Sequence, residues 1–413
     1  MGRTSIREIE AALSDPSFGI DPYPTYRLLR EQGPIYWSET FNAWILSHHD
    51  TVDAALRDWQ RFSNTHRVTS LLSDFDTPDR ARFSPLEEHF ASGMVHSDPP
   101  DHTRLRRIVG YAFTNRTVQR LRPRIEEIVD DLIDAVEGTD RIELISQLAY
   151  PLPVTVIGEL FGAPVDDADR FKDWSADLGA FQGTGRSDIG VVERATASIV
   201  DMRAYLAHLA DRKRAEPGDD LLSALVGQEA EALTEPELLS FCATMLSAGH
   251  ETTTSLIGNG MLALLHDSDA LDRLRSDPDL LESAIEELLR FDAPLQRTWR
   301  RVAETTEFLG QTLEQDELVV LFLGAANRDP EVFPDPDRLV LDRSPNRHVA
   351  LGLGVHFCLG APLARLEASV AFERLLWRGG AVRLADDDLE WNVNGVFRCL
   401  LELPLRFEAG GDG

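Results

Sequence analysis

The residues with the clearest chemical meaning lie around Cys358, in the segment LGLGVHFCLG at 351–360. Gly352, Gly354 and Gly360 surround this cysteine, and a helical pattern begins directly after it. Glycine permits sharp turns, so several backbone N–H groups can point at the sulfur. These donors, with the positive end of the following helix, stabilise a thiolate. A thiolate is the ligand that a haem iron needs for cleavage of bound dioxygen, although a lone cysteine in a turn is often only a buried structural residue.

A second group of reactive side chains, AGHETT at 248–253, lies in the middle of the longest helical pattern. Thr252 can donate a hydrogen bond to a backbone carbonyl of the preceding turn and loosen the helix there. Glu251 beside it is an acid, so the pair is suited to proton transfer by general acid catalysis. Taken alone, the same pair is an ordinary glutamate beside a threonine on a helix. We expect His250, between them and Gly249, to be structural.

The elements that must position these residues are mainly helical. The helical patterns are predicted at 116–136, 188–214, 234–266, 280–290 and 363–377. Thr234 and Glu237 form a capping-box pattern, and the helix they begin is apolar on several faces, which places it inside the protein. Short strands are predicted at 35–36, 44–46 and 318–323, a terminal hairpin at 400–407, a long loop at 63–93 and a glycine-rich connection at 179–190.

Composition sets the class of protein. The chain has 413 residues, 43% of them apolar, and its 41 basic and 70 acidic residues give a formal net charge of −29. This charge argues against nonspecific binding to nucleic acid or to anionic lipid. The three cysteines form no CxxC pair, so neither a zinc ribbon nor a disulfide framework is indicated. No signal peptide and no apolar run of about 18 residues is present, so we expect a cytoplasmic protein outside the membrane.

The cysteine segment resembles the ligand loop of bacterial cytochromes P450, including the continuation APLARLE at 361–367. The similarity extends from about 21 to 407 and implies the cytochrome P450 fold, mainly α with small β-sheets. A single domain is expected over 1–413, with 1–20 and 408–413 peripheral. One departure is Leu351, where the family usually has phenylalanine. This change affects the surroundings of the thiolate and its redox tuning, but not the ligation.

Two further motifs follow in the order of the family. Glu287 and Arg290 form an ExxR pair on one helix face, which alone would be a common surface ion pair. The segment FPDPDR at 333–338 resembles the meander whose arginine completes a buried network. By this resemblance, Arg338 pairs with Glu287, and the trio is structural.

The resemblance also implies the site residues. Cys358 would be the axial ligand of the iron in haem b, with Glu251 and Thr252 delivering protons. Haem contacts are expected from His102, Arg106, Ala248, Gly249, Arg300, Leu351, Gly352, His356, Gly360 and Ala364. Among these, the histidines and arginines would supply cations for the two haem propionates. Arg301, adjacent to Arg300, is the alternative at that position.

The implied function is a haem-thiolate monooxygenase of secondary metabolism. It would insert one oxygen atom from dioxygen into a C–H bond of an apolar small molecule, or epoxidise it. Leu295, Val396 and Phe397 are expected to contact this substrate. Two alternatives stay open: a peroxygenase driven by hydrogen peroxide, and a haem-binding sensor without turnover.

The expected partners are a ferredoxin and its reductase, because the sequence contains no flavin or iron–sulfur domain. We expect the protein to be a monomer. Despite the acidic total, several arginines cluster between 104 and 124 and could steer an acidic ferredoxin. This basic cluster consists of Arg104, Arg107, Arg116, Arg120, Arg122 and Arg124.

Overall fold

The computed structural model describes residues 6–68, 72, 75, 77–136, 138–139, 141–164, 167–183, 188–228, 233–377, 381–392 and 396–408. Helices dominate these residues, and the α-helices are α1 (Ile6–Ser14), α2 (Ser17–Ile20), α3 (Tyr23–Gln32), α4 (His49–Arg57), α5 (Thr77–Arg82), α6 (Ser84–Ala91), α7 (Asp101–Gly110), α8 (Asn115–Gln119), α9 (Arg122–Asp134), α10 (Pro151–Phe161), α11 (Ala168–Gly183), α12 (Ile189–Ala215), α13 (Leu221–Val226), α14 (Glu235–His266), α15 (Ser268–Ser276), α16 (Leu281–Phe291), α17 (Leu323–Ala326) and α18 (Ala361–Trp377). Single turns of other helix types occur at Met94–His96, Tyr111–Phe113, Ile145–Ala149, Pro278–Leu280 and Gly354–His356.

The β-structure is small and divided among four sheets. The strands are β1 (Ile35–Ser38), β2 (Ala43–Leu46), β3 (Phe62–Ser63), β4 (Arg141–Glu143), β5 (Thr298–Val302), β6 (Thr306–Phe308), β7 (Gln311–Leu313), β8 (Leu318–Leu321), β9 (Ala381–Leu384), β10 (Trp391–Asn392), β11 (Cys399–Leu400) and β12 (Pro404–Glu408). The largest sheet has the order β1-β2-β8-β5-β3, in which only the β2–β8 pair is parallel. The others are β4-β12-β9, β6-β7 and β10-β11. This arrangement fits the predicted fold class of helices with small sheets.

Helix α14 runs through the middle of the helical part. Its N-terminus has the capping box predicted for Thr234 and Glu237, which satisfies backbone donors that the first turn leaves free. Most of its side chains are buried, as the apolar pattern indicated. At Gly260, a β-carbon would come within 2.9 Å of the Phe372 ring and 3.0 Å of a Leu288 methyl group. The absence of a side chain there lets α16 and α18 pack closely on α14.

Two expectations about helical segments need correction. The segment expected as a loop at 63–93 contains α5 and α6, although 69–71, 73–74 and 76 lie outside the described residues. Pro85 stands in the first turn of α6, where proline favours a helix rather than ending it. The helix predicted at 116–136 is two helices, because Pro123 begins α9 as a separate element.

The C-terminal strands also differ from the prediction. The alternation at 400–407 suggested one hairpin, but β11 pairs with β10, whereas β12 pairs with β4 and β9. Alternation identifies a strand but not its partner, and the partners here are distant in sequence. In the glycine-rich segment, α11 continues to Gly183, and 184–187 lie outside the described residues. Among the described residues, no helix is long and apolar enough to cross a membrane.

Candidate active site

The backbone around Cys358 is folded by glycines in the left-handed region. Gly352 and Gly354 both have φ of +67°, which residues with a β-carbon rarely adopt. At Gly354, a β-carbon would also lie 3.0 Å from the Leu56 carbonyl oxygen, so the loop packs tightly against α4. The Cys358 N–H donates to the Leu351 carbonyl at 2.9 Å. These constraints hold the sulfur at the start of α18.

Burial and nearby positive groups have opposite effects on the pKa of the Cys358 thiol. Burial raises the pKa of the thiol, while the backbone N–H groups of Gly360 and Ala361 and the guanidiniums of Arg106 and Arg365 act in the opposite direction. A bound metal ion deprotonates a coordinating thiol outright. The donors already aimed at the sulfur would then stabilise the thiolate, so this loop fits an iron ligand.

A cluster of basic side chains lies beside the loop. The rings of His102 and His356 are 4.3 Å apart, and Arg106 donates to the Phe357 carbonyl at 2.8 Å. Burial, then the nearby His356 and Arg106, lower the pKa of His102 to about 4. An Asp98 carboxylate oxygen lies 3.7 Å from the His356 Nε2 atom.

Arg300 lies near His356, and its surroundings show whether the site fits the cofactor. Its side chain is buried and donates to the Trp299 carbonyl at 2.7 Å and to the Thr298 hydroxyl at 3.3 Å. Within the described part of the chain, no carboxylate lies within ion-pair distance of it, and the buried His356 Nε2 has no hydrogen-bond partner. Burial, first of all, lowers the pKa of Arg300 to about 9. A buried cation of this kind needs an anion, and the two propionates of haem supply carboxylates.

The structure distinguishes Arg300 from its neighbour. Arg301 lies on the opposite side of β5 and pairs with Asp316 at 2.5 Å, and it also donates to the Thr65 carbonyl. Arg301 is therefore satisfied by the protein itself. The structure places Arg300, and not Arg301, beside His356.

The middle of α14 opens on one face only. Ala248 is exposed and Thr252 is half-buried, in a helix that is otherwise largely enclosed. The Thr252 hydroxyl donates to the Ala248 carbonyl at 3.0 Å, in the i to i−4 bond expected from the sequence. This open face at 248 and 252 is where a flat ligand could lie against the helix.

Two neighbours on this helix pack against other elements. A β-carbon at Gly249 would lie 3.2 Å from a methyl group of Ile157 on α10, so close packing of the two helices favours glycine here. His250 is buried, contacts the Leu246 carbonyl through Nδ1 at 2.6 Å and packs edge-on against Tyr150. Burial lowers its pKa to about 4, so it is neutral and structural.

The Glu251 carboxyl group lies in an apolar environment. Its oxygens are 3.7 and 3.8 Å from the position that a β-carbon of Gly179 would take, and the Phe397 ring lies at 3.8 Å from the same point. Burial raises the pKa of Glu251 to about 8. The group is therefore protonated at neutral pH and can act as an acid.

Of the three residues expected to contact substrate, Phe397 lies close to this carboxyl group. Leu295 and Phe397 form an isolated β-bridge, and Val396 is buried and accepts a backbone hydrogen bond from Gln296. Gly395 lies outside the described residues. The structure thus brings α11, α14 and the 396–397 segment together around Glu251.

The predicted arginine of the buried network is wrong. Glu287 is fully buried and receives two hydrogen bonds from Arg290, at 2.7 and 2.8 Å. The third member is Arg343, whose Nε lies 3.0 and 3.1 Å from the two Glu287 oxygens. Arg338 is exposed and contributes only its carbonyl oxygen, which accepts from Arg290. The tight turns after Pro336 point the Arg338 side chain outward and bring residue 343 back to the helix.

Sequence reasoning missed several buried charged groups near the site. Arg67 and Arg297 are buried arginines with lowered pKa values, and Glu367 is a buried glutamate whose pKa burial raises to about 8. Single charged residues in loops or on a helix give no periodic signal. Glu367 stands in the quoted APLARLE continuation, so the motif contained it without revealing its burial.

The basic cluster of the sequence is largely neutralised by the protein itself. Arg104 pairs with Glu237, Arg122 with Glu126 and Glu373, and Arg124 with Glu127 and Glu159. These acids come from distant segments and could not be read from the local run of arginines. Of the cluster, Arg107, Arg116, Arg120 and Arg124 are exposed, and among these Arg124 is paired with acids.

Comparison with known proteins gives a consistent result. The family model for cytochrome P450 matches residues 193–378. The chain is 43% identical over 403 residues to cytochrome P450 107B1 of Saccharopolyspora erythraea, covering 95% of this chain and 96% of that one. It is 40% identical over 407 residues to the cytochrome P450 monooxygenase PikC of Streptomyces venezuelae, covering 95% and 92%. The crystal structure of P450BioI in complex with a hexadec-9Z-enoic acid ligated acyl carrier protein superimposes with a TM-score of 0.88 at 36% identity, covering 95% and 99%.

Proposed function

Because the chain belongs to the cytochrome P450 family, in which haem b is the cofactor, we propose that it is a haem-thiolate monooxygenase that hydroxylates an apolar small molecule. Oxidoreductase activity of the P450 type follows from the family itself. The reaction inserts one oxygen atom of dioxygen into a C–H bond of the substrate and reduces the other to water, with two electrons from an external donor and two protons. When bound, haem supplies the chemistry of dioxygen activation.

The observation that carries the proposal is the environment of Cys358. Its sulfur is surrounded by the N–H groups of Gly360 and Ala361 and by two guanidiniums, and glycines fix the loop. Each of these groups favours negative charge on sulfur. The residues that would hold the cofactor are Cys358 on the iron and His102, Arg106, Arg300 and His356 at the propionates.

Glu251 and Thr252 are the proposed proton-delivering pair. The Glu251 carboxyl group is kept neutral by its apolar surroundings, so it holds a proton at neutral pH. The Thr252 hydroxyl is held by the Ala248 carbonyl at 3.0 Å, which fixes its oxygen on the open face of α14. Replacement of Thr252 by alanine removes this oxygen, and electron consumption should then produce peroxide instead of hydroxylated product.

An apolar substrate fits the side chains near this pair. Leu295 and Phe397 form a β-bridge, Val396 is buried next to it in sequence, and the nearby Glu251 is neutral at neutral pH. The solved relative P450BioI holds a long-chain acyl group on a carrier protein. A substrate with an extended hydrocarbon part is therefore the first class to screen.

For the electron donor we favour a ferredoxin, with Arg116 and Arg120 as its contact. Both side chains are exposed, while three other arginines of the basic cluster are held by acids. The double variant Arg116→Glu/Arg120→Glu should slow ferredoxin-driven turnover and flatten its salt dependence. The matched control is the double variant Arg7→Glu/Arg141→Glu, two exposed arginines on α1 and β4. If both double variants slow turnover equally, the ferredoxin does not bind at Arg116 and Arg120.

The proposed reaction is tested by turnover under isotopically labelled dioxygen with a surrogate ferredoxin and reductase. Incorporation of one labelled atom into the product supports the proposal. Product that forms only with added hydrogen peroxide would indicate a peroxygenase. Absence of product and of substrate-accelerated electron consumption, across hydrocarbon-rich substrates, would indicate a haem-binding protein without turnover.

A further inference from the structure

Arg297, the residue before β5, is a buried cation without an acidic partner. It is 5% exposed, and its Nη2 donates to the Gly183 carbonyl at 3.2 Å. Its Nε is enclosed and has no hydrogen-bond partner among the described residues. Burial lowers the pKa of this guanidinium to about 10, with Tyr26 acting in the opposite direction, and no carboxylate of the described chain contributes. Arg297 is therefore charged at neutral pH in surroundings that do not neutralise it.

A second unpaired donor lies close to this guanidinium. The indole Nε1 of Trp299 is buried and also has no hydrogen-bond partner in the described part of the chain. The Phe41 ring contacts both residues: the guanidinium carbon of Arg297 lies 4.7 Å from its centroid, and the Trp299 ring centroid lies 5.8 Å from it. Arg297 and Trp299 therefore lie on the same side of the chain. Buried donors are almost always hydrogen-bonded, so two unpaired ones beside the same ring point to an acceptor from outside the chain.

Helix α11 connects this position to the candidate active site. Gly183, which accepts from Arg297, is the last residue of α11. Gly179, four residues earlier, faces the Glu251 carboxyl group and the Phe397 ring. Four residues of α-helix are about 6 Å long. A ligand that contacts Glu251 and Phe397 therefore has the Arg297 guanidinium roughly one helical turn away.

A carboxylate is the acceptor that suits these donors. It accepts paired N–H groups from a guanidinium, and an indole N–H adds one more donor. Its single negative charge matches the single cation, whereas a phosphate monoester would bring nearly two charges to it. The neighbouring side chains Leu295, Val396 and Phe397 are apolar. The combination fits a molecule with a hydrocarbon part and one acidic end.

We propose that Arg297 and Trp299 form a site for the carboxylate of the substrate, which selects apolar acids over neutral molecules of the same length. The inference rests on the proposed function and narrows its substrate class to apolar carboxylic acids. Neighbouring side chains of a strand point to opposite faces, so this site is separate from Arg300, whose side chain is assigned to a haem propionate.

The test measures the binding of saturated fatty acids from octanoic to myristic acid, and of the primary alcohols of the same lengths. Both series are titrated spectrally at neutral pH into wild-type holoprotein and its variants. The wild type should bind its best acid roughly tenfold more tightly than the matched alcohol. Arg297→Gln should lower the affinity for that acid roughly tenfold, because a charge-assisted hydrogen bond is lost, and leave the affinity for the alcohol unchanged.

Two conservative variants and a control separate recognition from packing. Trp299→Phe keeps a ring against Phe41 but removes the indole donor, so we expect the affinity for the acid to fall about threefold. Arg297→Lys keeps the charge but not the paired donors, and a loss of about threefold is expected here too. Arg30→Gln is the control, because Arg30 is a half-buried arginine on α3 that donates to the Ala325 carbonyl at 2.8 Å. It should change neither affinity.

The proposal is overturned if the wild type binds no acid of the series more tightly than its alcohol, or if Arg297→Gln keeps the wild-type preference. A lower urea midpoint of Arg297→Gln with an unchanged preference would show that Arg297 only packs against Phe41. Should Arg297→Gln fail to fold, Arg297→Lys and Trp299→Phe decide, and both must reduce the preference. Failure of the proposed function looks different, because the wild type would then prefer the acid but form no oxygenated product from it.

Discussion

Replacement of Arg343 by methionine should strongly destabilise the protein, whereas the same change at Arg338 should have almost no effect. Glu287 is fully buried, and its two oxygens accept hydrogen bonds from Arg290, Arg343, Asn346 and the Val340 N–H. Arg343 also donates to the Pro334 carbonyl at 2.8 Å. The side chain therefore joins the ExxR helix to the meander that follows it.

The expected magnitude follows from these contacts. Loss of the bifurcated hydrogen bond from Arg343 Nε to the two Glu287 oxygens lowers the free energy of unfolding by about 1.5–3 kcal/mol. Loss of the hydrogen bond to the Pro334 carbonyl lowers it by about 1 kcal/mol more. Arg290 stays in place, so the buried carboxylate keeps one cation, and the loss should stay near the lower end of the roughly 3–5 kcal/mol seen for broken buried pairs. We expect about 3 kcal/mol for Arg343→Met. Arg338 is exposed, and Arg338→Met should change stability by less than about 0.5 kcal/mol.

The assay is urea unfolding of the two holoproteins and wild type, followed by circular dichroism and by haem absorbance. Arg343→Met should unfold at a clearly lower urea concentration with a similar slope, and Arg338→Met should follow the wild-type curve. An equal loss in both variants, or a larger loss for Arg338→Met, would refute the assignment of Arg343 to the network.

Three further outcomes are expected. Glu251→Gln should slow coupled turnover roughly 100-fold. The turnover rate of the wild type should fall as the pH rises through about 8, where Glu251 loses its proton. A wild-type rate that stays constant to about pH 9 would contradict this role of Glu251. Native Glu367 keeps a proton that the unfolded chain releases above about pH 4.5. The free energy of unfolding of the wild type should therefore fall relative to that of Glu367→Gln, by roughly 4 kcal/mol in total as the pH rises to about 8. Parallel pH–stability curves of the two proteins would argue against burial of Glu367 as a neutral acid. Gly260→Ala should lower the free energy of unfolding by about 1–3 kcal/mol, because the new carbon overpacks against Phe372. Gly110→Ala, with no atom within 4 Å of the new carbon, should leave stability unchanged or raise it slightly. Equal unfolding midpoints of the two variants would contradict the packing at Gly260.

Much of the fold was readable because local signals agreed with it. The capping box at Thr234, the apolar surface of α14 and the strands at 35–38 and 43–46 all follow from patterns within a few residues. Some errors were local, such as the helices α5 and α6 in the expected loop, and others came from long-range partners. The alternation at 400–407 could not reveal that β12 pairs with β4, more than half of the chain away.

Local patterns also predicted part of the site. The glycines around Cys358 encode a local loop, and the structure gives two of them a positive φ. Arg343 was missed because its distance from Glu287 depends on the course of the meander, which sequence spacing does not fix. Arg67 was missed for the same reason: only the pairing of β3 with β5 brings it to Trp299. The contact of Gly249 with Ile157 could not be predicted either, because Ile157 belongs to another helix.

The proposed function depends on ligation of the haem iron by the Cys358 sulfur as a thiolate. The difference spectrum of the reduced carbon monoxide complex reports this bond. We expect the red-shifted Soret band of thiolate ligation in wild type and its loss in Cys358→Ser. A wild-type band at the unshifted position of a histidine-ligated haem, or a Cys358→Ser spectrum identical to wild type, would contradict it.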